Sequence, residues 1–266
     1  MSVPNSFHIS WENSLAPLTL ASSVAAAAAL PLSNVQSKIS DLVAEFDMTG
    51  QTTLVITDLG SPNTTRMAGA FALHNHNVPS GSTLRLRLYS AVNQGGSVVL
   101  DKTVSISDSE RLKPHVSMWF DQVGYRSVRI DISNLGGFPA NQLILDKLWL
   151  GESFCPSYGP EQGWGSTLVD TSEHQPKPGG GVETLEGVLS RSQDLFFPLV
   201  EDVERGVLRR ILTQASKGGD LLTTMDPNDA RALRLETSSI FRRANDVFFS
   251  GKIFNGSDLP LKLVEN

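Results

Sequence analysis

The 266 residues hold 22 Lys and Arg against 28 Asp and Glu, a net charge of −6, and only 19% of them are charged. That acidic balance argues against an electrostatic nucleic-acid footprint, so no sequence-specific nucleic-acid partner is expected. Cys155 is the only cysteine, which excludes an internal disulfide, a Cys-based zinc site and a CxxC redox pair. The length suffices for one large domain or two smaller ones with a sizeable core, and the frequent Gly, Ser, Thr, Asn and Pro suit short strands joined by turns.

The chain opens with MSVPNSFHISWENS, which carries Glu12 and no basic residue before the first apolar run, a pattern unlike a secretory signal. The run LAPLTLASSVAAAAALPL is rich in Ala and Ser, contains Pro17 and is shorter than a spanning helix requires. It reads as a strand or a small-residue packing segment, and no membrane insertion is expected. From there to Leu150, eight strand-like runs recur at short spacing: LVAEF, TLVITDL, AGAFALH, LRLRLYS, SVVLDKTVSIS, HVSMWF, SVRIDIS and LILDKLWL. Alternation at period two marks them as half-buried antiparallel strands. In SVRIDIS, Val128, Ile130 and Ile132 share one face while Arg129 and Asp131 share the other. Eight such strands match a two-sheet jelly roll, assigned to residues 1–150 with an N-terminal extension.

Residues 151–184 concentrate Pro and Gly and read as a long connection. Its Phe154, Tyr158 and Trp164 suggest packing on something, such as another subunit. Residues 185–266 read as a smaller α+β unit. A single main helix is expected near Pro198 to Lys217: Pro198 in the first turn, Glu201, Asp202 and Glu204 at the positive end, Arg209, Arg210 and Lys217 toward the negative end, and Gly218 and Gly219 as the stop. Leu199, Val203, Val207 and Ile211, with Val200, Leu208 and Leu212, give it one apolar stripe to lay across a sheet. The strands around it are SRSQDLFF, DLLTT, RLETSSIF, VFFSGKIF and LPLKLV.

Signals for chemistry are sparse. His74 and His76 share one strand face by spacing, but a zinc site needs three or four ligands and no HExxH pattern completes the set, so no metal and no cofactor is expected. Asn75 and Asn77 read as hydrogen-bonding the turn before Pro79. The Gly179–Gly181 run lacks a phosphate-loop Lys-Ser/Thr. Asp58 and Asp170 stand as lone carboxylates, and no nucleophile elbow or paired carboxylates stand out. The chain therefore reads as a non-enzyme. The sequons at Asn63 and Asn255 have no force without a secretory signal. Sugar binding has more to support it, because aromatic platforms with polar neighbours bind glycans. His76, Asn77, Trp119 and Tyr125, beside Phe120, are the candidates.

The segment TTLVITDLG, followed by AGAFALHNHN and then RLRLY, resembles the galactose-binding-like jelly roll of carbohydrate-binding modules and of long-tailed phage tail proteins. Reading on, VRIDIS, LILDKLWLGESFCPS, GWGSTLVDTS and the VEDVERGVLRRIL helix resemble tail-tip or baseplate virion proteins, in which a jelly roll joins a tail-tube-like unit. The similarity spans about Leu30 to Glu265, with the order of the two units reversed relative to distal tail proteins. It implies a virion structural protein: a homo-oligomeric ring linking the tail tube to distal proteins, contacting tube, hub and tape-measure components and assembled in the host cytoplasm. Tyr158, Trp164, Phe248 and Ile253 are the assembly-interface residues under that reading. The alternative it implies is a carbohydrate-binding module that recognises a cell-surface glycan.

Overall fold

The computed structural model describes residues 7–37, 42–60, 63–106, 115–160, 165–170, 172–176, 182–185, 189–215, 219–225, 239–244, 250–251 and 256–265. The architecture is mainly β and antiparallel. Two compact units divide the chain: Met1–Cys155 with Leu222–Ser239, and Pro156–Leu221 with Ile240–Asn266.

The first unit holds β1 (His8–Ser10), β2 (Leu20–Ser22), β3 (Ala44–Asp47), β4 (Thr53–Asp58), β5 (Arg66–His76) and β6 (Thr83–Tyr89). It continues with β7 (Val98–Ser105), β8 (His115–Tyr125), β9 (Ser127–Ser133), β10 (Gln142–Gly151) and β11 (Ser153–Phe154). All eight runs expected between Leu18 and Leu150 form strands, β3 to β10. They make a five-stranded sheet in the order β2-β4-β9-β6-β7 and a four-stranded sheet in the order β3-β10-β5-β8, a jelly-roll-like sandwich. The Ala-rich run contributes β2 at a sheet edge, paired with β4, and then a 3-10 turn at Leu32–Gln36.

Period-two alternation builds the sandwich core. Leu54 and Ile56 of β4, Leu84, Leu86 and Leu88 of β6, and Val128, Ile130 and Ile132 of β9 face Phe46, Phe71, Leu73, Met118, Phe120, Leu143 and Leu148 of the other sheet. Each such burial contributes roughly 1.5–3 kcal/mol. Gly60 closes the β4–β5 corner at a φ of +79°, where a Cβ would lie 2.0 Å from the Arg126 carbonyl oxygen. Only glycine fits that close approach.

The outer face of the four-stranded sheet is also dry. Ala70, Ala72, His74, Ser117, Trp119, Lys147 and Trp149 are all buried. Strand β1 lies on part of it: Trp149 Nε1 donates to Ser10 Oγ at 2.9 Å, and the His8 ring stands 5.6 Å from the Trp119 ring. β1 itself pairs with β11 and with Leu222–Thr224.

The second unit contains β12 (Gly165–Asp170), β13 (Glu173–Pro176), β14 (Val182–Leu185), β15 (Leu189–Glu201), helix α1 (Asp202–Ala215), the start of β16 (Asp220–Thr224), β17 (Ser239–Arg243), β18 (Ser250–Gly251) and β19 (Gly256–Glu265). Three short strands, β12 to β14, thus stand in the stretch read as a connection. Leu195 and Phe197 of β15 and Leu259, Leu261 and Leu263 of β19 are buried with Leu208, Ile211, Leu212 and Ala215 of α1.

The helix differs from its expected form in two ways. It begins at Asp202, because β15 runs through Pro198 to pair Val200 with Ser257. The ladder shifts register between Phe197 and Val200, and an interrupted ladder tolerates a residue with no N–H to give. The stripe is also rotated. Val203 is 83% exposed while Glu204 is buried, and a Glu204 oxygen accepts the Ser157 backbone N–H at 2.6 Å. Gly219 follows so closely that a Cβ would meet the Ala215 carbonyl. Among the described residues no helix is long and apolar enough to cross a membrane.

A charged lattice on the open sheet face

The odd-numbered residues of β9 and their partners turn away from the core onto the open face of the five-stranded sheet. Register places them in two rows. One row runs Thr57, Arg129, Arg87, Asp101 across β4, β9, β6 and β7, and the next runs Val55, Asp131, Arg85, Thr103. Adjacent strands lie about 4.8 Å apart, so each row is a set of close neighbours on one surface. Apolar residues on the alternate positions anchor every one of these strands in the core, which fixes the polar groups on a rigid base.

Two ion-pair groups organise the lattice. Arg85 clasps Asp101 with two parallel bonds, Nε to Oδ1 at 2.8 Å and Nη2 to Oδ2 at 2.5 Å. That hydrogen bonding holds the Asp101 carboxyl below its usual range and pushes the Arg85 guanidinium up. Both side chains are well exposed, so the pair contributes little to stability. Asp131 is the more buried hub. Its Oδ2 accepts from Arg87 Nη2 and its Oδ1 accepts from Arg129 Nε at 2.9 Å. Arg87 and Arg129 face each other directly across the ladder. Like charges in that position repel, and the Asp131 carboxylate bonded to both, with Asp101 across the ladder from Arg87, offsets the repulsion.

The residues singled out for glycan stacking lie elsewhere and do not form a platform. Trp119, Tyr125 and His76 are 4%, 1% and 5% exposed, because each is packed into the sandwich or onto its covered outer face. The Tyr125 hydroxyl meets Ser14 Oγ at 2.6 Å, and burial pushes its pKa up to about 12. Asn77 is half-buried and clips β5 to β10, donating to the Gln142 carbonyl at 3.1 Å and accepting from the Ile144 N–H at 2.7 Å. It therefore ties strands together instead of serving the turn before Pro79. His76 Nδ1 takes the Val78 N–H there, at 3.2 Å. Asn75, at a φ of +49°, donates to Asp146. Of the assembly candidates, Tyr158 is 48% exposed. Trp164, Phe248 and Ile253 fall outside the described residues.

His74, His76 and His115 do come close together. His74 Nδ1 lies 3.4 Å from His115 Nδ1, with the rings edge to face at 5.5 Å, and the buried Lys147 pairs with His74 across the ladder. Burial pushes His76 down to about 4 and His115 well below the ordinary imidazole value. The His76 and His115 rings are held neutral. Among the described residues no group of three or more His, Cys, Asp or Glu is placed to hold a metal ion.

The alternations LRLRLY and VRIDIS carry the lattice's signal in the sequence. What alternation leaves out is register, which sets Arg87 against Arg129 and not against Asp131.

No protein-family model matches the sequence, and a search of curated proteins finds no match. Solved structures that resemble it include a chitosan-binding module of a Paenibacillus chitosanase/glucanase, 13% identical with a TM-score of 0.40, covering 52% of this chain and 98% of that one. A family 32 carbohydrate-binding module of Clostridium perfringens, in complex with galactose, is 10% identical with a TM-score of 0.39, covering 55% and 99%. A Ruminococcus gnavus fucosidase in complex with fucose is 9% identical with a TM-score of 0.40, covering 54% of this chain and 27% of the enzyme. Likeness at this level assigns neither a ligand nor a site to the present chain.

Proposed function

We propose that the chain is a non-catalytic recognition protein whose sandwich unit binds a glycan on the open face of the five-stranded sheet. The observation that carries this reading is the two-row lattice. It sets the exposed Arg85–Asp101 pair beside the half-buried Arg87 and Arg129, held on the buried Asp131, on a rigid sheet, an arrangement of fixed charged groups that sugar hydroxyls can match. Hydrogen bonds to charged groups are about twice as strong as neutral ones, and a preorganised face loses less side-chain entropy on binding. Asp101, exposed and clasped by Arg85, is a hydrogen-bond acceptor held in place, while the buried Asp131 fixes Arg87 and Arg129. Screening the protein on a glycan array is expected to give binding that Arg85→Ala weakens at least about ten-fold with the melting temperature preserved, by loss of charge-assisted bonds. A protein that binds no glycan on the array, or a variant that binds as the parent does, overturns the reading.

A second reading, the ring-forming virion subunit, draws on the other unit. Register puts Phe196 of β15 beside the exposed Pro260 of β19 on an outward sheet face, and Phe196 is 39% exposed. An exposed apolar pair of that kind is what a subunit contact would cover, and ring closure needs heterologous surfaces. Light scattering on the purified protein is expected to show a closed oligomer that Phe196→Asp dissociates. A monomer at all concentrations, alone and with tail-tube subunits, rules the ring out.

A further inference from the structure

The lattice is not electrically balanced, and the imbalance is local. Arg85 and Asp101 satisfy one another. Arg87 and Arg129 share the one carboxylate of Asp131, so the lattice holds three guanidinium ions against two carboxylates and one positive charge is unmatched. Both Asp131 oxygens are already engaged. Among the described bonds only the Nη2 of Arg87 and only the Nε of Arg129 are engaged, which leaves each guanidinium a terminal nitrogen to give. Two facing guanidinium groups with idle donors, one carboxylate short of neutrality, form an anion receptor.

Resting on the glycan-binding reading above, we propose that the ligand of this face is an acidic saccharide whose carboxylate sits between Arg87 and Arg129 as the counterion their pairing lacks. The planar, two-oxygen shape of a sugar carboxylate suits the fork of a guanidinium, which bonds such groups bidentately. Thr57, beside Arg129 in the same row, is half-buried and adds a hydroxyl next to the seat for a neighbouring sugar oxygen. An ammonium in place of either arginine would retain charge but lose the fork.

Titration calorimetry with oligogalacturonate, its methyl-esterified form and a sulfated oligosaccharide of equal length tests this. The acid form is expected to bind at least about ten-fold more tightly than the ester, from charge-assisted hydrogen bonds. Arg129→Gln should erase that preference, Arg129→Lys should restore only part of it, and circular dichroism should show both variants folded. Equal binding of acid and ester overturns the acidic-saccharide proposal while leaving glycan binding intact. Tighter binding of the sulfated chain overturns the choice of carboxylate, and no binding of any of the three counts against both readings.

Discussion

Trp119→Ala is expected to lower the unfolding free energy of the sandwich by about 3–5 kcal/mol, the range for truncating a large buried aromatic. Trp119 sits on β8, on the sheet face that does not meet the sandwich core, and is only 4% exposed. Its ring is flanked by the ring of His8, and its backbone oxygen accepts Lys102 Nζ at 2.8 Å. Nothing about that environment resembles a sugar platform. Truncation would leave a cavity under β1 and loosen the strand that also receives the Trp149 N–H.

Urea unfolding followed by circular dichroism checks this, with glycan binding measured on the same variant under folding conditions. The expected pattern is a large shift in midpoint with the affinity of the remaining folded protein unaltered. The opposite pattern, unchanged stability with binding lost, would return Trp119 to the recognition surface and displace the Arg87–Arg129 lattice as the site. The comparison therefore separates an aromatic platform from a charged sheet face with one substitution.

Trp119 also shows where legibility in the sequence stops. Strand positions were readable because alternation is a local signal: SVRIDIS places Val128, Ile130 and Ile132 inside and Arg129 and Asp131 outside without reference to any other residue. For HVSMWF the same alternation separates Met118 and Phe120 from Trp119, and the solvent side is the natural place for the odd one out. The outer face of the four-stranded sheet is instead covered, in part by β1, a strand more than a hundred residues away in sequence. Burial of a second face depends on that long-range packing, which leaves no periodic mark on HVSMWF. The candidate site was half legible for a related reason. The arginines of LRLRLY and the Arg-Asp pair of VRIDIS announce wet faces, but only the β6–β9 register brings Arg87 to Arg129. In the second unit, Pro198 looked like a helix start because proline favours a first turn; pairing of β15 with β19 overrode that local preference.

Acidification is expected to destabilise the sandwich well before its carboxylates are titrated, because the fold holds histidines neutral. His76 is held down to about 4 by burial, against an ordinary value of 6.5 in the unfolded chain. Between those two values the unfolded chain binds the proton that the folded protein refuses. Stability is therefore complete above about pH 6.5 and is lost progressively toward pH 4, by roughly 3 kcal/mol for His76. His115 adds to the loss in the same window, since burial and the neighbouring His74 and His76 all lower its pKa. Lys147 lies across the ladder from His74, so a second positive charge there adds repulsion. Urea midpoints measured at pH 7.5, 6 and 4.5 should fall steadily, and His76→Gln should flatten that slope while retaining an acceptor for the Val78 N–H. Midpoints that hold constant down to pH 4.5, or a His76→Gln protein with the parental slope, would mean that these rings take up protons without cost and that the cluster is open to water in solution.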